Sequence, residues 1–421
     1  MKIAVLGGGF TGLTASYYLA KNGHNVVVFE KEKILGGLAS GFTSDNWDWV
    51  LERAYHHLFH SDGDILNFAS ETGFNNIFFQ EPETASLYKD QDNYRIIPVD
   101  TPQDFLKFPF LSLPEKLRSA VILAFLKFSP YLTFYEKQTA EEFLKKTMGN
   151  NAWNILWKEL FRKKFGKYAE NIVAAFIWAR INKRTKKLGY VKGGFQSFID
   201  YIAEVNTKQG VEIQKGVSVN EITKTAATFK VNEEHFDSII STLPTPVLVK
   251  ITGNLFPQVY LKKLGKLQYL HAVNLILETD NPFIEKTYWL SVCVKSLPFM
   301  VVVQHSNFID KEYYGGKHIT YIAKYIDMDD KLLKMDKGEI LDYWVPHLKK
   351  TLNSRFKILN AHLFKGPFAQ PIFDKEFVKN KPDFETPVKN FFIANLDMTY
   401  PYDRGTNYAV KLGKEVSKLI Q

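Results

Sequence analysis

The chain begins with an apolar run, Lys2 to Leu6, continues into a stretch from Gly12 to Asn22 with apolar residues at three- and four-residue steps, and returns to an apolar run from Val26 to Phe29. Short apolar runs bounded by glycine and polar residues predict strands, and the stepped pattern predicts a helix. From Thr101 to about Leu188 the stepped pattern dominates, as in LPEKLRSAVILAFLKF and AEEFLKKTMGNNAWNILWKELFRKKFG. Strand-like runs come back between Val211 and Ile222 and at IISTLP. They recur between about Leu264 and Lys365, where HAVNLILE and ITYIAKYI precede a helical stretch from Lys337 to Leu352. The last fifty residues read as a strand, a polar loop and a helix. No repeat, linker or low-complexity tract interrupts the pattern, which predicts an α/β protein with woven rather than strung domains.

The first strand, helix and strand enclose GGGFTG, with Gly7, Gly9 and Gly12 at the G-x-G-x-x-G spacing. In such a βαβ unit the first glycine permits the tight turn, the second lets backbone approach a pyrophosphate, and the third lets helix and strand pack closely. Gly8, Phe10 and Thr11 complete the loop, and the helix start offers free N–H groups to phosphates. Glu30, at the end of the second strand, is placed to accept hydrogen bonds from an adenosine ribose and to repel a 2'-phosphate. Beyond it, EKEKILGGLAS carries Lys31, a second glycine pair, Gly36 and Gly37, and Leu38 before a strand or hairpin.

That arrangement resembles flavoproteins of the glutathione reductase type, in the branch shared by amine oxidases, protoporphyrinogen oxidases, phytoene desaturases and UDP-galactopyranose mutases. The resemblance implies FAD as cofactor and a Rossmann-like FAD-binding domain interleaved with a substrate domain of mixed sheet plus helical insert. It apportions residues 1–100, 189–260 and 371–421 to the FAD-binding domain, 101–188 to the insert and 261–370 to the substrate-binding sheet. GYVKGGFQSFIDYI, with Gly193 and Gly194, is similar to the family's turn leading back to the cofactor. Val219 matches the valine whose backbone contacts adenine, and Thr242 the turn closing that subdomain. Where relatives carry Gly-Asp or Gly-Glu after the last strand, this chain has Ala394 and Asn395, an amide able to meet a ribityl hydroxyl. Arg404, Gly405, Thr406 and Asn407 stand at the next helix start, where N–H groups would face the flavin pyrimidine; the same DRGTN is also a capping sequence that needs no ligand.

Composition narrows the compartment and the partners. Cys293 is the only cysteine, which excludes an internal disulfide and a thiolate metal cluster and suits a reducing cytosol. The hydrophobic start is accounted for by a strand rather than a secretory leader, so a cytoplasmic protein is expected, with peripheral contact on the inner membrane face as an option. The 421 residues are ordinary in hydrophobic (45%) and charged (24%) content, which excludes a disordered chain. The net charge of +9 suits either a solvated surface or an anionic partner: a nucleotide-sugar diphosphate, a lipid diphosphate or acidic lipid. No nucleic-acid motif accompanies it.

Candidate chemistry lies in three places. RAYHHLFHS holds His56, His57 and His60, the last two resembling the paired histidines of UDP-galactopyranose mutases that lie against the flavin; satisfied core histidines are the alternative, and no carboxylate or cysteine spacing completes a metal site. KELFRKKFGKYAENIVAAFIWARINKR resembles polysaccharide-associated members of the protoporphyrinogen-oxidase-like group. It carries Arg162, Arg180 and Arg184, which would anchor a diphosphate or carboxylate unless they pair on a solvated helix face. Residues 119–134 are apolar enough either to dock on a bilayer or to form a buried helix lining a substrate tunnel. The function expected from all this is an FAD-dependent oxidoreductase that takes a hydride from a small, organic and anionic molecule to flavin N5, in polysaccharide or nucleotide-sugar metabolism. Alternatives are a non-redox mutase and, last, a prenyl-binding chaperone of the GDP-dissociation-inhibitor type.

Overall fold

The computed structural model describes residues 1–225, 227–352 and 355–420. Its first sheet has five parallel strands in the order Glu212–Lys215, Asn25–Glu30, Lys2–Leu6, Ser238–Ser241, Phe391–Ile393. Side chains alternate between two covered faces. Ile3 and Val5 pack with Ala15, Leu19 and Leu412 beneath the helices Phe10–Lys21 and Thr406–Ser417. Ala4 and Leu6 pack with Phe229, Phe236 and Leu248 on the opposite face. Parallel strands buried on both faces read as unbroken apolar runs, and for that reason the strands Lys2–Leu6 and Asn25–Glu30 were legible in the sequence. Lys2–Leu6 is central, with Asn25–Glu30 on one side and Ser238–Ser241 on the other. Its carboxyl end therefore opens at the switch point where open α/β sheets take nucleotides.

The second sheet has seven strands in the order Ile358–Pro371, Tyr269–Thr279, His318–Ile326, Val301–Gln304, Thr287–Val292, Glu83–Asp90, Asn93–Pro98. All its pairings are antiparallel except that of Thr287–Val292 with Glu83–Asp90. The hairpin of residues 83–98, grouped with the nucleotide-binding half on sequence grounds, thus belongs to this sheet. Ala85 and Leu87 pack into one core with Leu290 and Val292, and the strands follow that core. Strand alternation does not say which sheet an edge will join.

After the hairpin of residues 83–98 the chain folds into helices that pack against the second sheet, including Pro102–Lys107, Leu113–Phe128, Leu132–Glu136, Ala140–Met148, Lys158–Phe165 and Ala174–Lys183. Capping boxes at Thr101, Ser112 and Thr139 start three of them. Phe105, Phe143, Trp153, Phe161 and Phe176 fill their shared core. Leu113, Leu117, Val121, Phe125 and Phe128 recur at four- and three-residue steps and so share one face of Leu113–Phe128. That face turns outward: Val121 is 66% exposed and Phe128 81%, with Tyr131 and Phe134 exposed just beyond. On this helix only Ser119 and Leu126 are buried, so the expectation of a buried helix lining a tunnel is overturned. No helix among the described residues is long and apolar enough to cross a membrane.

Candidate active site

The strand Lys2–Leu6 ends at Gly7, whose φ of +106° is left-handed. A Cβ there would lie 2.4 Å from Oγ1 of Thr242, and that hydroxyl donates to the Leu6 carbonyl at 2.8 Å. At Gly12 a Cβ would meet the Gly7 carbonyl oxygen at 2.0 Å, so this glycine serves the close packing of helix on strand. Gly9 differs, because a Cβ on it would find nothing nearer than the Gly36 carbonyl oxygen at 3.8 Å. Its backbone lies in ordinary contact with the pair Gly36 and Gly37, with room for an added Cβ. The two loops are tied by a hydrogen bond from the Gly36 N–H to the Gly8 carbonyl at 2.9 Å. The helix Phe10–Lys21 starts beside them with no acid in its first turn and no side-chain cap. Its first N–H groups are left for an anion.

Glu30 is buried, and two backbone donors orient its carboxylate: Gly8 N–H to Oε2 at 2.8 Å and Glu32 N–H to Oε1 at 2.9 Å. Each oxygen keeps lone pairs for ribose hydroxyls. The Val217 N–H donates to the Glu30 carbonyl at 2.9 Å, which brings the segment carrying Val219 over the same strand end. A glycine cradle, an oriented acid and an open helix end fit the adenosine diphosphate portion of FAD. Lys31 does not join them; it is exposed and pairs with Glu32 at 3.7 Å. Leu38 is exposed near Gly366.

The C-terminal segment holds a correction. The Asn395 amide is engaged inside the protein: Nδ2 donates to the Leu243 carbonyl at 3.0 Å and to Thr245 Oγ1 at 2.9 Å, and Oδ1 accepts from the Asp397 N–H at 3.2 Å. The strand end is buried, and its polar groups must be satisfied locally. Asp397, not foreseen, is buried too. One of its oxygens accepts from Thr245 at 2.5 Å and Tyr269 at 2.7 Å, the other has no partner among the described residues, and burial pushes its carboxyl up to about 6. Asn407 is likewise occupied, accepting from the Ile65 N–H at 3.0 Å and donating to Asp64 at 3.2 Å. Gly405 precedes the helix Thr406–Ser417, which lacks both a side-chain cap and an acid in its first turn. This helix packs so closely on Phe10–Lys21 that a Cβ on Gly413 would lie 2.5 Å from the Thr11 carbonyl oxygen.

The histidines separate. His57 Nδ1 lies 3.2 Å from the Tyr288 hydroxyl, with its ring edge-on to Trp289 and Phe59. Burial pulls its pKa down to about 3, helped by His56, Arg180 and Arg184, and that of His56 down to about 4. Both rings are therefore neutral at physiological pH, and the proton exchange expected of an ordinary histidine is not available to them. His56 Nδ1 is bound at 2.7 Å to the Ala54 carbonyl. His60 is exposed against Phe79 and stands apart from the other two.

Arg180 acts on His57 and Arg404 on His56, and both belong to a gathering of cations. Lys164 Nζ lies 2.8 Å and Arg180 Nη1 3.5 Å from Asp403 Oδ2. Arg404 stacks on Tyr325 at 4.7 Å and donates to the Ala369 carbonyl at 2.9 Å. Arg184 is held apart by Asp100 at 2.5 Å. Arg162 does not contribute; it pairs at the surface with Glu159 at 3.3 Å. On the helix Lys158–Phe165 the buried positions are Phe161 and Phe165. Lys164, three residues after Phe161, and Arg162, three before Phe165, stand equally far around the helix from that face, so periodicity does not separate them; the contacts of the folded chain cover Lys164 and leave Arg162 outside.

The chain matches a family model described as flavin-containing amine oxidoreductase over residues 10–420. It is 21% identical to the 15-cis-phytoene desaturase of Glycine max, across 100% of this chain and 79% of the relative. To the 4,4'-diapophytoene desaturase of Staphylococcus haemolyticus it is 25% identical, across 61% of this chain and 57% of the relative. Among solved structures, an oxidoreductase from Methanosarcina mazei superposes with a TM-score of 0.76 at 21% identity, covering 100% of both chains. Reduced UDP-galactopyranose mutase gives 0.76 at 15% identity, covering 100% of this chain and 95% of the other. At these identities the structures establish a shared fold.

Proposed function

The chain belongs to the flavin-containing amine oxidoreductase family, and from that membership we propose that this FAD-dependent oxidoreductase takes a hydride from an anionic organic substrate of the nucleotide-sugar or polysaccharide-precursor kind. The observation that carries the reading is the set of cations, Lys164, Arg180 and Arg404, gathered on Asp403 and Tyr325, with Arg180 close enough to act on His57 and Arg404 standing just before the helix Thr406–Ser417. A protonated amine would be repelled there, whereas a carboxylate or phosphate is attracted. Bound FAD supplies the two-electron acceptor. The protein holds and orients: Gly9, Gly36 and the start of Phe10–Lys21 receive the pyrophosphate, Glu30 the ribose, and Lys164, Arg180 and Arg404 the substrate anion. His57, neutral and fixed toward Tyr288, positions the reacting carbon by a hydrogen bond. Anaerobic mixing of the purified yellow protein with candidate substrates tests the activity. Bleaching of the flavin by an anionic sugar derivative supports it, while isomerisation that proceeds only after chemical reduction, with no net bleaching, would assign mutase chemistry instead.

Two further outcomes are expected. His57→Ala should keep FAD bound and slow flavin reduction about tenfold, the scale of one lost hydrogen bond in a desolvated site. Anaerobic stopped-flow absorbance measures this, and an unchanged rate would make His57 a packing residue. We also propose that the outward apolar face of Leu113–Phe128 rests on a lipid surface. The protein should float with anionic liposomes, and Phe125→Ser with Phe128→Ser should return most of it to the soluble fraction. Wild-type protein that stays soluble with those vesicles rejects the membrane contact.

A further inference from the structure

Two cations touch the Asp403 carboxylate and a third stands close by. Its Oδ2 takes Lys164 at 2.8 Å and Arg180 at 3.5 Å, and its Oδ1 accepts the backbone N–H of Arg404 at 3.1 Å. The Arg404 guanidinium and the Lys164 ammonium both lie over the Tyr325 ring, at 4.7 Å and 5.3 Å from its centre. Lys183 adds a fourth cation nearby, over the Tyr402 ring at 5.4 Å, and Tyr402 stacks on Tyr408 at 4.7 Å. Arg184 does not relieve the imbalance, since Asp100 already neutralises it. Lys164, Arg180 and Arg404 against Asp403 leave two positive charges over.

Such a surplus is costly where water is scarce. The Lys164 side chain is 15% exposed, and burial lowers its pKa to about 8 even with Asp403 in contact. Aromatic faces soften a buried cation and do not neutralise it. Arg180, in contrast, keeps 41% of its side chain exposed, so the group is open on its side. Buried surplus charge on a partly open cluster is what a site for an anion requires.

We propose that this cluster is a binding subsite for a phosphoryl dianion of the substrate, held by Lys164, Arg180 and Arg404, and that Asp403 is an internal stand-in that the dianion displaces from Lys164 and Arg180. The proposal rests on the oxidoreductase reading above and gives its substrate a chemical class. It assigns roles to Lys164 and Asp403 that neither a surface ion pair nor a helix cap would have. In a structural ion pair, removing the carboxylate weakens everything around it. In a subsite with a stand-in, removing it helps the ligand.

The experiment is a calorimetric titration of FAD-loaded full-length protein with inorganic pyrophosphate and, separately, inorganic phosphate at fixed ionic strength. Wild-type protein should bind one pyrophosphate; tighter binding of pyrophosphate than of phosphate identifies a diphosphate as the source of the dianion, and the reverse order a monophosphate. Lys164→Gln should weaken binding at least tenfold, Asp403→Asn should tighten it severalfold, and Lys145→Gln, a surface control, should leave it unchanged. Asp403→Asn is isosteric and keeps a group for the backbone contacts, so it remains informative if Lys164→Gln folds poorly. Flavin absorbance in the same samples separates the two readings: wild-type protein without flavin counts against the oxidoreductase assignment. Flavin-loaded protein that binds neither anion overturns the subsite. So does Asp403→Asn without a gain in affinity, or Lys164→Gln that shifts the flavin potential and leaves anion affinity unchanged, which would give the cations to the flavin.

Discussion

Gly9→Leu is expected to yield a folded, colourless protein. The Gly9 backbone has φ −81° and ψ 179°, which any residue adopts, and a Cβ there comes no closer than 3.8 Å to another atom. The apoprotein therefore has no reason to unfold. A leucine side chain would instead project from the loop at the uncapped start of Phe10–Lys21, into the space proposed for the pyrophosphate. Affinity for FAD should fall at least about a hundredfold, or roughly 2.7 kcal/mol. Flavin absorbance after purification and fluorescence titration of apoprotein with FAD measure the loss, and circular dichroism verifies the fold. Gly12→Ala should behave oppositely, failing in stability first, because its Cβ would collide with the Gly7 carbonyl at 2.0 Å. A yellow Gly9→Leu protein with full FAD occupancy would mean that the pyrophosphate runs elsewhere.

Glu52→Ala is expected to destabilise the protein by about 3–5 kcal/mol, the cost of breaking a buried charged group's hydrogen-bond network. Glu52 is 1% exposed and sits at the start of the helix Phe195–Lys208, accepting from the Phe195 N–H at 2.6 Å and the Tyr190 hydroxyl at 2.7 Å. Its backbone carbonyl also accepts from the Tyr321 hydroxyl at 2.8 Å, so three elements converge on one residue. Gly194 is drawn in as well, since a Cβ on it would lie 2.0 Å from the Val50 carbonyl oxygen. Burial raises the Glu52 carboxyl to about 7, against the opposing pull of Phe195 and Tyr190.

The sign follows from linkage. A carboxyl whose pKa is higher in the folded state binds its proton more tightly there. It contributes no penalty below the unfolded value of 4.5, and stability falls as pH rises from there to about 7. The full penalty above that window is roughly 3 kcal/mol. Glu52→Gln, which keeps the shape and an acceptor for the Phe195 N–H, should hold most of the stability and flatten the profile between about pH 5 and 7. Urea unfolding of FAD-saturated protein at several pH values reads both effects. An unchanged slope in Glu52→Gln would show that this carboxyl does not titrate in that window.

The features legible along the chain are local ones. The strand Lys2–Leu6, the glycine loop, the helix after it and the acid at position 30 lie within thirty consecutive residues, where periodicities of 2.0 and 3.6 and the spacing of glycines are the physical determinants. Their positions along the chain are their positions in space, so the strand, the glycine loop and the acid at the strand end are legible together. Tertiary structure decided the rest, because the partners lie far apart in sequence. Lys164 meets Asp403 across 239 residues, and Glu52 meets Phe195 across 143. Arg162 and Lys164 have nearly the same composition around them, yet the contacts of the folded chain cover only Lys164. Asn395 has the amide to reach a cofactor, but its burial beside Leu243 and Thr245 turns that amide to the protein. The apolar stretch 119–134 has equal use for a core or a lipid surface, and only the packing of the neighbouring helices, which takes Ser119, Ile122, Leu123 and Leu126 from Leu113–Phe128, leaves its other apolar face to the outside. Hydrophobic periodicity fixes which residues share a face; which face is covered depends on long-range contacts that no local pattern encodes.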